Sequence, residues 1–284
     1  MLIAGPTASG KSGFAMQIAD KYDGIIINAD ALQVYDCWRI LTARPSALDE
    51  ATHPHFLYGH VDKAASYSVG TWLRDLRKIL TDTEKMPIIV GGTGLYFSTL
   101  TNGLVDIPDV ENSVREAAEQ MFKSGGLELL LKDLSAHDPQ TLQGIDQQNP
   151  ARVMRAWEVW KSTGRGLADW QKDTPAPLLP LEKVNAFVLN APKEYLTPRI
   201  NLRFRQMLSL GALDECHANL PDWDATRLSS RAIGAPELIA HLRGETTLET
   251  AIALSEIATR QYAKRQRSWF RSRMKGWTWI DPAT

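Results

Sequence analysis

Cysteine is scarce: Cys37 and Cys216 are the only two in 284 residues. They lie far apart and form no C-x-x-C pair. That argues against a disulfide framework or a zinc knuckle and suits a reducing cytosol. Long hydrophobic runs are absent, and no stretch approaches the roughly 20 apolar residues of a membrane span. No charged-then-apolar leader is expected, because Gly5 and Lys11 come too early for one. Excess charge of one sign is missing too. Lys and Arg total 32 against 33 Asp and Glu, a formal charge of −1, so a nucleic-acid surface would have to be local. Repeats and low-complexity tracts are not seen. The length suggests about two domains with a sizeable core.

What is present starts at once. "GPTASGKS" (5–12) matches G-x-x-x-x-G-K-[ST]. Leu2–Ala4 reads as a short strand before it, and Lys11 to about Tyr22 as a helix with Phe14, Ile18 and Ala19 on one face. Gly24 ends that helix, and Ile25–Ile27 is a buried strand. Val69, Trp72, Leu73, Leu76, Ile79 and Leu80 recur at helical spacing. Pro87–Val90 is a further buried strand that ends at Gly91-Gly92. This alternation predicts an α/β fold: a P-loop NTPase-like parallel sheet flanked by helices, with right-handed crossovers.

Residues 104–185 show helical patterns, with Val153, Trp157 and Trp160, and no buried strand before "AFVLN" at 186–190. They are read as an all-helical insertion domain between core segments 1–103 and 186–284. The proline-rich "TPAPLLPLE" (174–182) is a connector. Thr197-Pro198 reads as an N-cap and first turn, followed by Ile200, Phe204 and Met207 on one face and a stop at Gly211. One long helix, or two close ones, spans about 248–274.

The loop Gly5, Pro6, Thr7, Ala8, Ser9, Gly10, Lys11, Ser12 carries the first chemistry. Its N–H groups and the helix N-terminus attract phosphate, Lys11 reaches the outer phosphate, and Ser12 can bind Mg²⁺. The motif is shared with nucleotide-binding, ATP-using enzymes, but it says phosphate and not whose. Asp30, in "NADALQVY", follows a strand, where open parallel sheets bind ligands. It could serve as a metal ligand, a general base or merely a turn cap. Gln33 and Tyr35 could read a substrate or line the core edge. Thr93, in "GGTGLY", stands on a third loop of the same edge.

"RQYAKRQRSWFRSRMK" (260–275) has seven cations and no acid. Arg260, Lys264, Arg267 and Arg271 share one helix face, and Trp269 and Phe270 stand beside them. This stripe suits an RNA backbone with aromatics for stacking. The plainer alternative is a solvated face with its aromatics in the core. Arg152 and Arg155 form a smaller patch, for which a salt-bridged surface is the plainer reading.

Six ordered stretches together resemble the bacterial tRNA dimethylallyltransferases, also called tRNA isopentenyltransferases. They are "AGPTASGKS" (4–12), "ADALQVY" (29–35), "TARP" (42–45), "VGGTGLY" (90–96), "NPARVMRAWEVWKSTG" (149–164) and "ATRQYAKRQRSWFR" (258–271). The resemblance implies a prenyltransferase. It would move a dimethylallyl group from dimethylallyl diphosphate to N6 of the adenosine just 3′ of the anticodon, in tRNAs reading codons that begin with U. It also implies Mg²⁺ at Ser12, Asp30 as general base, Lys11 on the diphosphate and Thr93 as an orienting group. The tRNA anticodon stem-loop would meet Asp30, Ala31, Leu32, Gln33, Thr93, Arg115, Arg152, Arg155, Arg260, Lys264, Arg267 and Arg271. A cytoplasmic monomer with no membrane partner and no C-terminal zinc finger is the matching expectation. Departures are Ala31 where the family has Ser, "IGAPE" (233–237) for I-G-Y-K-E, and "RILTARP" in its first half. The competing readings are a P-loop small-molecule kinase, which needs ATP and has no use for the stripe, and a catalytically idle RNA-binding P-loop protein.

Overall fold

The computed structural model describes residues 1–282, so the last two residues of the expected core lie outside the described residues. The chain forms two compact units, Met1–Asn102 with the chain from Leu178 on, and Gly103–Pro177.

The first unit runs β1 (Leu2–Ala4), α1 (Lys11–Tyr22), β2 (Gly24–Asn28), α2 (Ala47–Thr52), β3 (His55–Phe56), α3 (Val69–Asp82), β4 (Met86–Gly91) and α4 (Gly94–Asn102). The second unit holds α5 (Asn112–His137), α6 (Pro139–Gly144), α7 (Pro150–Thr163) and α8 (Leu167–Lys172). The first resumes with β5 (Ala186–Leu189), α9 (Lys193–Ser209), α10 (Ala212–Asn219), α11 (Ala235–Leu242), α12 (Leu248–Arg273) and β6 (Thr278–Ile280).

Among the described residues six strands form one sheet, ordered β3-β2-β4-β1-β5-β6, with every pairing parallel. The parallel α/β core read from the sequence is therefore present. Three-residue β1 sits at the centre, between β4 and β5, and is fully buried. Alternation sends Leu2, Ile27, Ile89 and Val188 to one face, with Trp72, Phe97 and Phe270, and Ile3, Ile26 and Ile88 to the other, with Ala15 and Ile18. A third cluster gathers Trp38, Phe204, Met207, Leu238 and Ile239 beneath α9 to α12.

Residues 178–185, read with the insertion, pack on the core instead. Leu179 N–H donates to Leu100 O at 3.0 Å, and Leu178, Leu181 and Val184 pack against the cluster containing Phe97 and Trp277. The apolar residues inside the proline-rich connector are the cause. In the second unit α5 packs on α7 through Leu130, Leu134, Val153 and Trp157. The Trp157 indole donates to Asp133 at 2.6 Å. Helix α5 is interrupted at Gly125-Gly126, where the backbone leaves helical angles.

The Thr197-Pro198 start is corrected. Helix α9 begins at Lys193, capped by Pro192, and Pro198 lies inside it. As the sixth residue of the helix, Pro198 lies past the first turn and so removes one intrahelical bond. The face read from Ile200, Phe204 and Met207 is buried as expected.

Candidate active site

Three loops meet at the C-terminal ends of β1, β4 and β2. The first is the phosphate loop. Gly5, Pro6 and Ser9 are buried, Gly10 is exposed, and Ala8 and Gly10 adopt left-handed angles (φ 64° and 92°). Gly10 caps α1 with no side-chain bond, so the first-turn N–H groups remain open to an anion. Lys11 is half-buried and Ser12 exposed. Burial pulls the Lys11 ammonium down to about 8; Asp30 opposes that shift and Arg203 adds to it.

The second loop carries Asp30. Buried Asn28 fixes it: the Asn28 amide donates to Asp30 O and Leu57 O, both at 2.9 Å, and accepts from Asp30 N–H at 2.8 Å. Truncating Asn28 would leave these backbone groups without partners, at about 1–3 kcal/mol each where they are buried. One Asp30 oxygen accepts from Leu32 N–H at 3.0 Å. Three tyrosines feel this carboxylate. Tyr58, Tyr96 and Tyr262 are all raised, first by burial and then by Asp30, so they stay neutral phenols.

The third loop is 91–93. A side chain at Gly91 would strike the backbone of Ala29, so glycine is what lets the two loops touch. Thr93 Oγ1 then accepts from Ala31 N–H at 2.9 Å. The Thr93 and Gln266 side chains beside it pull the Tyr262 phenol back.

Helix α9 closes the site with two arginines one turn apart. Arg199 Nε donates to Ala8 O at 3.0 Å, and Arg203 donates to the Thr7 hydroxyl. Burial lowers Arg203 to about 10, against the pull of Asp30. The sequence reading passed over both residues, although their i, i+4 spacing beside a buried face was visible.

Between these elements lies a cavity of about 100 Å³. Its lining combines polar side chains, Thr7, Lys11, Ser12, Asp30 and Arg203, with apolar ones, Leu41, Ile200, Phe204, Met207 and Ile233; Leu41, Phe204 and Met207 share one apolar cluster. Leu32 and Gln33 also line the cavity. Gln33 donates to Thr42 O and Ala43 O at 2.8 and 3.0 Å, so it braces the wall. Glu215 on α10 braces the same wall by accepting from the N–H groups of Arg39, Ile40 and Leu41. Tyr35 is buried in the core and reads no ligand. Ala31 packs at the edge of the main core cluster.

The basic stripe lines a separate groove of about 500 Å³ between α9 and α12, with Arg260, Lys264, Arg267 and Arg271 on one wall. Arg260 is tied to Asn201 at 2.9 Å and to Glu256 at 3.7 Å. Phe270 is 1% exposed and packs in the core, so it cannot stack on a base; Trp269 is half-buried over Gly94. In the second unit Arg115, Arg152 and Arg155 are exposed. Arg155 pairs with Glu158 at 3.8 Å, and Arg115 also acts on that carboxyl, which burial raises. Among the described residues no cluster of three or more His, Cys, Asp or Glu side chains could hold a metal, and no helix is long and apolar enough to cross a membrane.

Known proteins resemble this chain. The chain is 57% identical to the tRNA dimethylallyltransferase of Dinoroseobacter shibae over all of this chain and 95% of that one. It is 56% identical to that of Cereibacter sphaeroides, over 98% and 94%. The crystal structure of the Bacillus halodurans tRNA isopentenylpyrophosphate transferase superposes with a TM-score of 0.69 at 32% identity, covering 99% of this chain and 89% of that one. A eukaryotic dimethylallyltransferase acting on tRNA gives 0.85 at 27% identity, covering 99% and 73%. The IPP transferase family model matches residues 33–273, from just past Asp30 through the basic stripe, and the chain belongs to that family.

Proposed function

We propose that the chain transfers a dimethylallyl group from dimethylallyl diphosphate to N6 of the adenosine immediately 3′ of the anticodon, in tRNAs reading codons that begin with U. The observation that carries this reading is a cavity lined both by cations and by apolar side chains. Lys11 and Arg203 suit a diphosphate, and Leu41, Ile200, Phe204, Met207 and Ile233 suit a short branched hydrocarbon.

The chain's own residues act as follows. The loop N–H groups, Lys11 and Arg203 bind the diphosphate and neutralise its charge as it leaves. The apolar wall excludes water from the allylic carbon. The target adenine leaves its stack to reach the cavity. Its N6 attacks C1 of the allyl group, the C1–O bond breaks, and the electron pair departs with the diphosphate. Asp30 takes the N6 proton. Ala29 O and Thr93 Oγ1 accept from Thr93 N–H and Ala31 N–H, at 3.1 and 2.9 Å, and keep Asp30 aimed. Mg²⁺ fits the donor set: the exposed Ser12 hydroxyl opens on the cavity, and this ion commonly takes one or two protein oxygens with substrate phosphates and waters. When bound it would supply further charge neutralisation on the diphosphate. Arg260, Lys264, Arg267 and Arg271, with Arg115, Arg152 and Arg155 of the second unit, hold the anticodon stem-loop. The enzyme works in the cytoplasm, as a monomer.

A kinase would leave the apolar side chains of the lining and the stripe without a task. Incubation with tRNA, Mg²⁺ and labelled dimethylallyl diphosphate, with and without ATP, tests the reading. Label enters tRNA equally in both arms. Label that stays out of tRNA, or enters only with ATP, contradicts it.

A further inference from the structure

Gln266 lies on the inner face of α12, 5% exposed, and outside the lining of the cavity. Both ends of its amide are used. Oε1 accepts from Thr7 N–H of the phosphate loop at 2.8 Å. Nε2 donates to Gly92 O of the third loop at 2.9 Å. Gly92 leads directly into Thr93, and Tyr262, one turn earlier on α12, lies beside both Gln266 and Thr93. Thr93 in turn accepts from Ala31 N–H, next to Asp30. Through Gln266, the Gly92–Thr93 backbone and the Thr93 hydroxyl, a connection thus runs from the loop that takes the leaving group to the segment that carries the base. A side chain at Gly92 would strike Gln266 Nε2, so the fit leaves no slack.

We infer that Gln266 is a positioning residue for the transfer, a strap that fixes the phosphate loop against the loops bearing Thr93 and Asp30. It touches no reacting atom. Its effect is geometric: misplacing reacting groups by about 1 Å can cost about a hundredfold in rate. An amide serves both ends whatever the pH. An ionised carboxylate keeps an acceptor for Thr7 but has no donor for Gly92, and a thioether of similar length is a weak acceptor with no donor. The inference rests on the prenyl-transfer reading for its kinetic test, though not for its binding test.

The test compares Gln266→Glu and Gln266→Met in the full chain. The constants are kcat and KM for dimethylallyl diphosphate at saturating tRNA, together with the affinity for inorganic diphosphate by calorimetry. Gln266→Met should raise the KM and weaken inorganic diphosphate about tenfold, with kcat also down about tenfold or more. Gln266→Glu should lower kcat by a similar factor and leave that KM within about twofold, because the Thr7 bond survives. This split separates a strap from a core filler, which would lower the melting temperature and leave the constants of folded protein alone. If Gln266→Met does not fold, the near-isosteric Gln266→Glu decides, read at a pH where its carboxyl is ionised. A folded variant with both constants near the parent's overturns the inference. If the parent itself transfers nothing, the activity reading falls and calorimetry still judges the strap: unchanged diphosphate affinity in Gln266→Met overturns it.

Discussion

Helix α12 repeats one spacing on two neighbouring faces, offset by one residue or about 100° around the helix. Its outer face has Arg260, Lys264, Arg267 and Arg271; its inner face has Thr259, Ala263, Gln266 and Phe270. The outer face lines a basic groove, while the inner face packs on the sheet core and ties two site loops together. The same turns therefore carry two jobs that fail in different ways. The outer job is long-range and screened by salt. The inner job depends on ångström-scale placement and is insensitive to salt.

The largest effect should come where the inner network ends. Asp30→Ala should cut kcat by about 10²–10⁴ with tRNA affinity kept, checked by single-turnover transfer beside a binding isotherm. A turnover rate near the parent's would remove Asp30 as the base. A smaller effect of the opposite kind follows on the outer face. Lys264→Glu with Arg271→Glu should weaken tRNA binding and flatten its salt dependence, by about 0.7–0.9 in log–log slope for each phosphate no longer neutralised, with kcat at saturating tRNA retained. Unchanged salt slopes would return the stripe to a merely solvated face. The smallest effect is on pH. The Lys11 ammonium titrates at about 8, so its charge is present below that pH and lost above it. KM for dimethylallyl diphosphate should rise as pH passes about 8 while tRNA affinity stays level; a flat KM well above that pH would mean that other groups hold the anion.

The outer face was legible because an unopposed run of cations is its own signal. The phosphate loop, the strands and Asp30 were legible for similar reasons: a spaced glycine motif and β-branched runs carry their structure locally. The inner face was hidden, because a glutamine inside a charged run looks like surface. Its partners, Thr7 N–H and Gly92 O, are backbone groups more than 170 residues away in sequence, which no composition reveals. Arg199 and Arg203 were missed for a related reason. Their partners are the loop's own Ala8 O and Thr7 hydroxyl, and the early proline drew attention to where α9 starts. Phe270 shows the converse. Beside arginines it suggested stacking, but its position on the inner face sends it into the core.

Central to the proposed chemistry is that the diphosphate leaves and is not transferred. The most direct measurement counts both products of one reaction: diphosphate released, and adenosine carrying the new group at N6, identified by mass spectrometry of digested tRNA. The account predicts one diphosphate per modified adenosine, with no ATP consumed. Phosphate appearing on any acceptor, or diphosphate release with no modified adenosine, would contradict it.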